Sequence, residues 1–191
     1  MWDDEDEQRP AAGWVQVEGR GSLPYALLHG ESLVAVASWA LGDAGVELVD
    51  FTAGWADVRA RETALAVHDP LCPGTPSVFL AEAVATAVEN DVVVVGVRPV
   101  TDTVKQVEGE VLGATVDRAG LLAVTSPVVL PASVVAALTE PPPAATFDDL
   151  ADLVTWLRES HEVLFVQAPP AGRRVLDESD LRMVEALSAE G

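Results

Sequence analysis

The chain has 191 residues, 49% of them hydrophobic, which is enough for one domain with a sizeable buried core and not comfortably enough for two. With 31 acidic and 11 basic residues, its formal net charge is −20 and its pI near 4.2, which argues against a nucleic-acid surface of clustered lysine and arginine. A lone cysteine, Cys72, excludes an intramolecular disulfide and a cysteine-rich zinc site, and no apolar run reaches membrane-spanning length.

The opening MWDDEDEQRP is acidic where a signal peptide would be basic, so residues 1–12 read as a disordered tail before a single domain over 13–191. Three scattered histidines, His29, His68 and His161, offer no metal cluster, and a reducing cytoplasm is the expected compartment.

From there strands alternate with helices. Residues 14–18 form a short strand, and GRGSLP a glycine-containing turn with Gly19, Arg20, Gly21 and Ser22. Leu33, Val36, Ala37, Ala40 and Leu41 recur at helical spacing up to Gly42 and Gly45. A second strand covers 46–51, and a polar link with Arg59, Arg61 and Glu62 leads to a third over 65–67, ending at His68 and Asp69. Thr75 as N-cap and Pro76 at the first helical position open a helix with Leu80, Val84, Ala87 and Val88 on one face.

VVVVGV at 92–97 is continuously apolar, as a strand covered by helices on both faces requires. Over 101–120, TDTVKQVEGEVLGATVDRAG alternates and carries Gly109 and Gly113 as turn signals, which describes a two-stranded β-arm. Its polar residues Asp102, Thr103, Lys105, Asp117 and Arg118 are either solvated or delivered to a site. Residues 121–125 return as strand, 131–140 form a short helix ended by Pro141 to Pro143, and Leu150, Leu153, Val154 and Leu157 define a helix capped near Thr146 or Asp148. A strand over 163–167 and a helix with Leu181, Val184 and Leu187 complete an α/β chain.

In such sheets ligands sit beyond the carboxyl ends of the strands, where Asp69 falls. Asp69 otherwise caps the following turn. His68 reads as a packed histidine, and Cys72 as a small buried filler. Arg20, on so tight a turn, is expected at the surface unless the loop aims it inward.

DTVK followed by TVDRAGL, with VHDPLCP at 67–73, resembles the 2-C-methyl-D-erythritol 4-phosphate cytidylyltransferase family, whose arm and V-H-D-A-A-R-P motif these match in order. The resemblance covers roughly two thirds of the chain. It implies a three-layer α/β/α, mostly parallel, Rossmann-like nucleotidyltransferase fold with a protruding arm, and isoprenoid precursor synthesis as the setting. It also implies that Thr103 and Arg118 reach across a homodimer to a sugar-alcohol phosphate, with Asp69 and Arg174 on the same half of the site. The family's Pro-Lys pair falls on Pro24 and Tyr25, and the loop is shortened to Gly19, Arg20, Gly21 and Ser22. Between 51 and 65 the family's cytidine-holding segment has no room, Arg59 or Arg61 being its only candidate remnants, and its motif arginine is replaced by Cys72.

Three functional classes are open. One is a degenerate cytidylyltransferase-like protein that needs no cofactor, binds a phosphorylated polyol, and pairs with itself or with an active relative. A second is a working cytidylyltransferase using CTP and Mg²⁺, with Arg20 in the lysine's role. A plain interaction module, acidic surface and arm serving only protein contacts, is the third class. Neither nucleic acid nor membrane is an expected partner.

Overall fold

A computed structural model describes residues 11–50, 52–101, 104–108, 111–142 and 149–188. In chain order the elements are β1 (Ala11–Val15), β2 (Leu27–Leu28), β3 (Glu31–Ser32), α1 (Leu33–Asp43), β4 (Glu47–Leu48), α2 (Trp55–Ala60), β5 (Ala64–His68) and α3 (Ser77–Asn90). There follow β6 (Val93–Pro99), β7 (Val104–Glu108), β8 (Val111–Val116), β9 (Leu122–Leu130), α4 (Ala132–Ala137), α5 (Leu150–Leu157), β10 (Val163–Gln167) and α6 (Glu178–Ser188). Short 3₁₀ turns lie at Leu23–Tyr25 and Pro170–Gly172.

Six strands form one sheet in the order β10-β6-β9-β5-β1-β4, with β9 antiparallel to both neighbours and the remaining pairings parallel. Because side chains alternate across a strand, the two faces of this sheet bury different sets. Leu65, Val67, Val95, Val128 and Leu130 pack with α2, α4 and α5 on one face. Ala64, Ala66, Val94 and Val129 pack with α1 and α3 on the other. This is the expected three-layer α/β/α architecture.

Several expectations need correction. The first strand begins at Ala11 rather than residue 14, taking in two residues assigned to the tail. Its small residues carry no periodic signal but permit close packing: a Cβ on Gly13 would meet Val46 Cγ1 at 2.7 Å. The polar link after residue 51 contains α2, held by Trp55 and Val58, which are buried in the core. Pro76, not Thr75, is the N-cap of α3, because the Thr75 hydroxyl donates instead to the Cys72 carbonyl at 2.8 Å. Asp149 caps α5, accepting from the Ala151 amide at 2.8 Å; Thr146 and Asp148 lie outside the described residues. The second strand shrinks to β4 at the sheet edge.

The return strand β9 continues to Leu130, past a cis Ser126–Pro127 bond. It passes close to β6 at Gly96, where a Cβ would stand 2.5 Å from the Ser126 carbonyl oxygen. The hairpin expected over 101–120 is a separate two-stranded sheet, β7 paired antiparallel with β8. Gly113 lies within β8 and is not a turn residue; Gly109 lies outside the described residues.

Candidate functional site

The site forms where β1, β5 and the segment after β10 come together at the carboxyl ends of the parallel strands, with β9 between β5 and β6. β5 carries Asp69 out of the sheet edge, and the Ser126 hydroxyl of β9 accepts from the Asp69 amide at 2.7 Å. The Asp69 carboxylate turns back on its own loop, where Oδ1 accepts from the Leu71 amide at 2.9 Å. The turn-capping role is therefore present. The same carboxylate also holds two arginines.

Arg20, expected at the surface, is buried, and this is the main correction to the site. Its Nε donates to Asp69 Oδ1 at 2.8 Å and its Nη1 to the Glu18 carbonyl at 2.6 Å. The loop can turn this tightly because Gly19 and Gly21 take φ values of 73° and 59°, left-handed conformations that glycine adopts at little cost. A buried guanidinium needs a carboxylate partner, and Asp69, 49 residues away, supplies it.

Arg174 approaches from the other side, its Nε 3.2 Å from Asp69 Oδ2, near enough for an ion pair though not aligned as a hydrogen bond. The segment bearing it is pinned in place. The Val175 amide donates to the Leu71 carbonyl at 2.7 Å, Arg98 Nη1 donates to the Pro170 carbonyl, and a Cβ on Gly74 would stand 2.3 Å from the Ala171 oxygen. Leu71, Val175 and Leu181 cover the underside as part of a small apolar cluster.

Two titratable neighbours are held neutral. Burial pushes His68 down to about 4, against the pull of Asp69, and neither ring nitrogen has a hydrogen-bond partner. Burial and the adjacent Asp69 push the Cys72 thiol up to about 12, which keeps it protonated and unreactive near neutral pH. His68 and Cys72 are the packed residues the sequence suggested.

Other expected contributors lie elsewhere. Tyr25, in the lysine's place, is 62% exposed. Arg59 donates to the Ala136 carbonyl at 3.2 Å and Arg61 pairs with Glu47 at 2.6 Å. Trp55 donates to the Leu138 carbonyl at 2.8 Å. These contacts tie α2 to the chain leaving β9, whose end pairs with the start of β5, opposite Asp69. The 55–61 region thus lies toward the end of β5 opposite Asp69. Arg118 donates to the Thr101 carbonyl beside β7, while Thr103 lies outside the described residues. Ser22 precedes the first 3₁₀ turn without a side-chain capping bond.

Sequence reading missed the cavity beside Arg174. It has a volume of about 510 Å³ and is lined by Arg98, Thr101, Thr125, Asp149, Arg173 and Arg174, among others. Arg98 and Thr125 sit in strands that read as core, so nothing in the pattern singled them out.

Mg²⁺, implied if CTP is the substrate, needs carboxylate oxygens free of guanidinium. Both oxygens of Asp69 face arginine, and among the described residues no group of three His, Cys, Asp or Glu is placed to hold a metal ion. Asp69, engaged by both arginines, is thus not open to a Mg²⁺ ion in this arrangement. Among the described residues, no helix is long and apolar enough to cross a membrane.

A sequence model of the 2-C-methyl-D-erythritol 4-phosphate cytidylyltransferase family matches residues 45–188, beginning after the glycine loop. No curated protein matches the chain. Among solved structures, the fold is similar to 2-C-methyl-D-erythritol 4-phosphate cytidylyltransferase from Thermus thermophilus, with TM-score 0.65 and 21% identity over 94% of this chain and 98% of that one. It is also similar to 4-diphosphocytidyl-2C-methyl-D-erythritol synthase from Anaerococcus prevotii, with TM-score 0.65 and 12% identity over 96% and 97%. A further 4-diphosphocytidyl-2C-methyl-D-erythritol synthase gives TM-score 0.63 and 18% identity over 95% and 99%. With the family model spanning most of the chain and these structures sharing its layered fold, the chain belongs to the 2-C-methyl-D-erythritol 4-phosphate cytidylyltransferase family.

Proposed function

We propose that this family member has lost efficient cytidylyl transfer and serves as a cytoplasmic, dimeric protein that binds a phosphorylated polyol on the acceptor half of the site. The observation that carries the reading is the Arg20–Asp69 ion pair: the one cation of the shortened glycine loop is buried and committed to an internal carboxylate. Transfer from CTP builds charge on phosphate oxygens, and losing a fixed cation that meets it slows such reactions by roughly 10²- to 10⁵-fold. Tyr25 cannot replace that charge, since a phenolic hydroxyl has no cationic form to set against phosphate oxygens. Arg174 keeps a guanidinium on the acceptor side, suited to gripping phosphate in place of the family's lysine.

The β7–β8 hairpin supports a twofold dimer in which hairpins exchange, bringing Thr103 and Arg118 to the partner's site. The dimer is of like copies, or of this chain with an active relative whose activity it tunes. A specific observation favours the competing reading of a working enzyme: Arg20 does share the cleft with Asp69. Pyrophosphate release from CTP·Mg²⁺ with 2-C-methyl-D-erythritol 4-phosphate separates the two. Turnover near background supports the loss of transfer, and sustained turnover that disappears in Arg20→Gln establishes the working enzyme. Sedimentation of a monomer at tens of micromolar counts against the dimer.

A further inference from the structure

The two edges of the six-stranded sheet are built differently. β4 closes one edge with only Glu47 and Leu48, and so short a strand, carrying a charge, gives another chain little backbone to pair with. β10 closes the other edge with five residues, VLFVQ, in unbroken parallel register with β6. It contains no proline, charge or bulge, the devices that keep an exposed edge from pairing. The uncharged stretch runs on from Val163 to Gly172, in a chain whose net charge is −20.

The ladder fixes which groups are open. The Val93 amide donates to the Glu162 carbonyl at 3.1 Å, and the Ala168 amide to the Val97 carbonyl at 2.8 Å. Backbone groups alternate in direction along a strand, so the even-numbered residues face β6 while Val163, Phe165 and Gln167 turn their amides and carbonyls outward. Among the described residues, no strand pairs with that side. Leu164 and Phe165, on opposite faces of the sheet, are 41% and 37% exposed.

We propose that β10 is an association edge whose occupant is the β10 of a second copy, running antiparallel about a twofold axis at Phe165. The strand is self-complementary in that arrangement. Phe165 faces its own copy and Val163 faces Gln167, so each outward amide and carbonyl meets an outward partner and each such pair exchanges two hydrogen bonds. Leu164 comes opposite Val166, an apolar pair on the reverse face. Glu162 comes opposite Ala168, so the acid adjoining the strand meets no like charge. Pro169 and Pro170, lacking amide donors, end the ladder. Because β7 and β8 form a separate sheet, this contact is distinct from an exchange of hairpins, and it is independent of the ligand reading above.

A strand pair of five residues buries less than the roughly 1,200 Å² of a standard interface, so half-association is expected at about 0.1 mM. Like-charged copies make it stronger as salt rises. Amide hydrogen exchange of the full chain, resolved by NMR, is compared at roughly 50 µM and 2 mM protein in about 0.3 M sodium chloride. The Val163, Phe165 and Gln167 amides should exchange several-fold more slowly at the higher concentration, while those of Leu164 and Val166, turned toward β6, change little. Gln167→Pro removes an outward donor and leaves the β6 ladder intact, and Leu164→Lys puts a charge on the edge. Each should abolish the concentration dependence at Phe165; if circular dichroism shows one variant unfolded, the other decides. Outward amides that exchange alike at both concentrations overturn the proposal, as does a dependence that persists in both variants. Outward amides already protected at the lower concentration also overturn it, because another part of the chain then covers the edge.

Discussion

Arg20 Nε lies 2.8 Å from Asp69 Oδ1, joining the loop after β1 to the end of β5 through an ion pair with both side chains almost wholly buried. The carboxylate that pairs with the loop arginine thus comes from a strand end 49 residues away in the same chain.

Removing one partner leaves an uncompensated buried charge, which typically costs about 3–5 kcal/mol. Asp69→Ala should therefore lower unfolding free energy by that order in urea melts, with Arg20 the stranded group. The double variant Arg20→Met/Asp69→Leu should recover most of the loss, because apolar pairs of similar volume replace buried ion pairs at little cost. Equal destabilisation of single and double variants would contradict the assignment.

His68 sets a pH dependence. Its folded-state pKa is depressed to about 4 from 6.5, so the unfolded chain binds the extra proton first. Stability is full above pH 6.5 and declines as pH falls toward 4, by about 3 kcal/mol if the whole shift is expressed. Denaturant melts at several pH values test this, and His68→Asn should flatten the decline across that window. An unchanged slope in the variant would assign the effect elsewhere.

Gly74 carries a packing prediction. A methyl group there would stand 2.3 Å from the Ala171 carbonyl oxygen, so Gly74→Ala must displace the segment that holds Arg174. A loss of about 1–3 kcal/mol is expected for overpacking. The buried, protonated Cys72 thiol reports the displacement: native wild type should resist aromatic disulfide reagents at pH 8, whereas Gly74→Ala should react measurably faster.

How much of this was legible in the sequence depends on whether the signal was local. β10 appears where its apolar run stood, and α1 and α3 follow the helical spacing of Leu33, Ala37 and Leu41 and of Leu80, Val84 and Ala87. α2 was hidden because a six-residue helix anchored by Trp55 and Val58 shows less than two turns of pattern. The second half of β9 was hidden because Ser126 and Pro127 read as a break, although the strand runs through them. Asp69 stood out by its place at a strand end and Arg174 by the family motif around it, and the fold brings the two together. The burial of Arg20 was not readable, since the carboxylate that compensates it is distant in sequence and only the sheet order brings it near.

The α2 contacts predict that this helix acts on stability and not on ligand binding. Trp55→Phe removes the indole bond to the Leu138 carbonyl and some core volume, and should cost about 1–3 kcal/mol without changing affinity for any phosphate ester. A change in ligand affinity would place α2 nearer the site than its contacts indicate.

On the proposed reading, Arg20 cannot steady a nucleoside triphosphate while it serves Asp69. Isothermal titration of the full chain with CTP·Mg²⁺ tests it most directly. No heat of binding is expected up to roughly 1 mM nucleotide; micromolar binding, lost in Arg20→Gln, would overturn the loss of the nucleotide half.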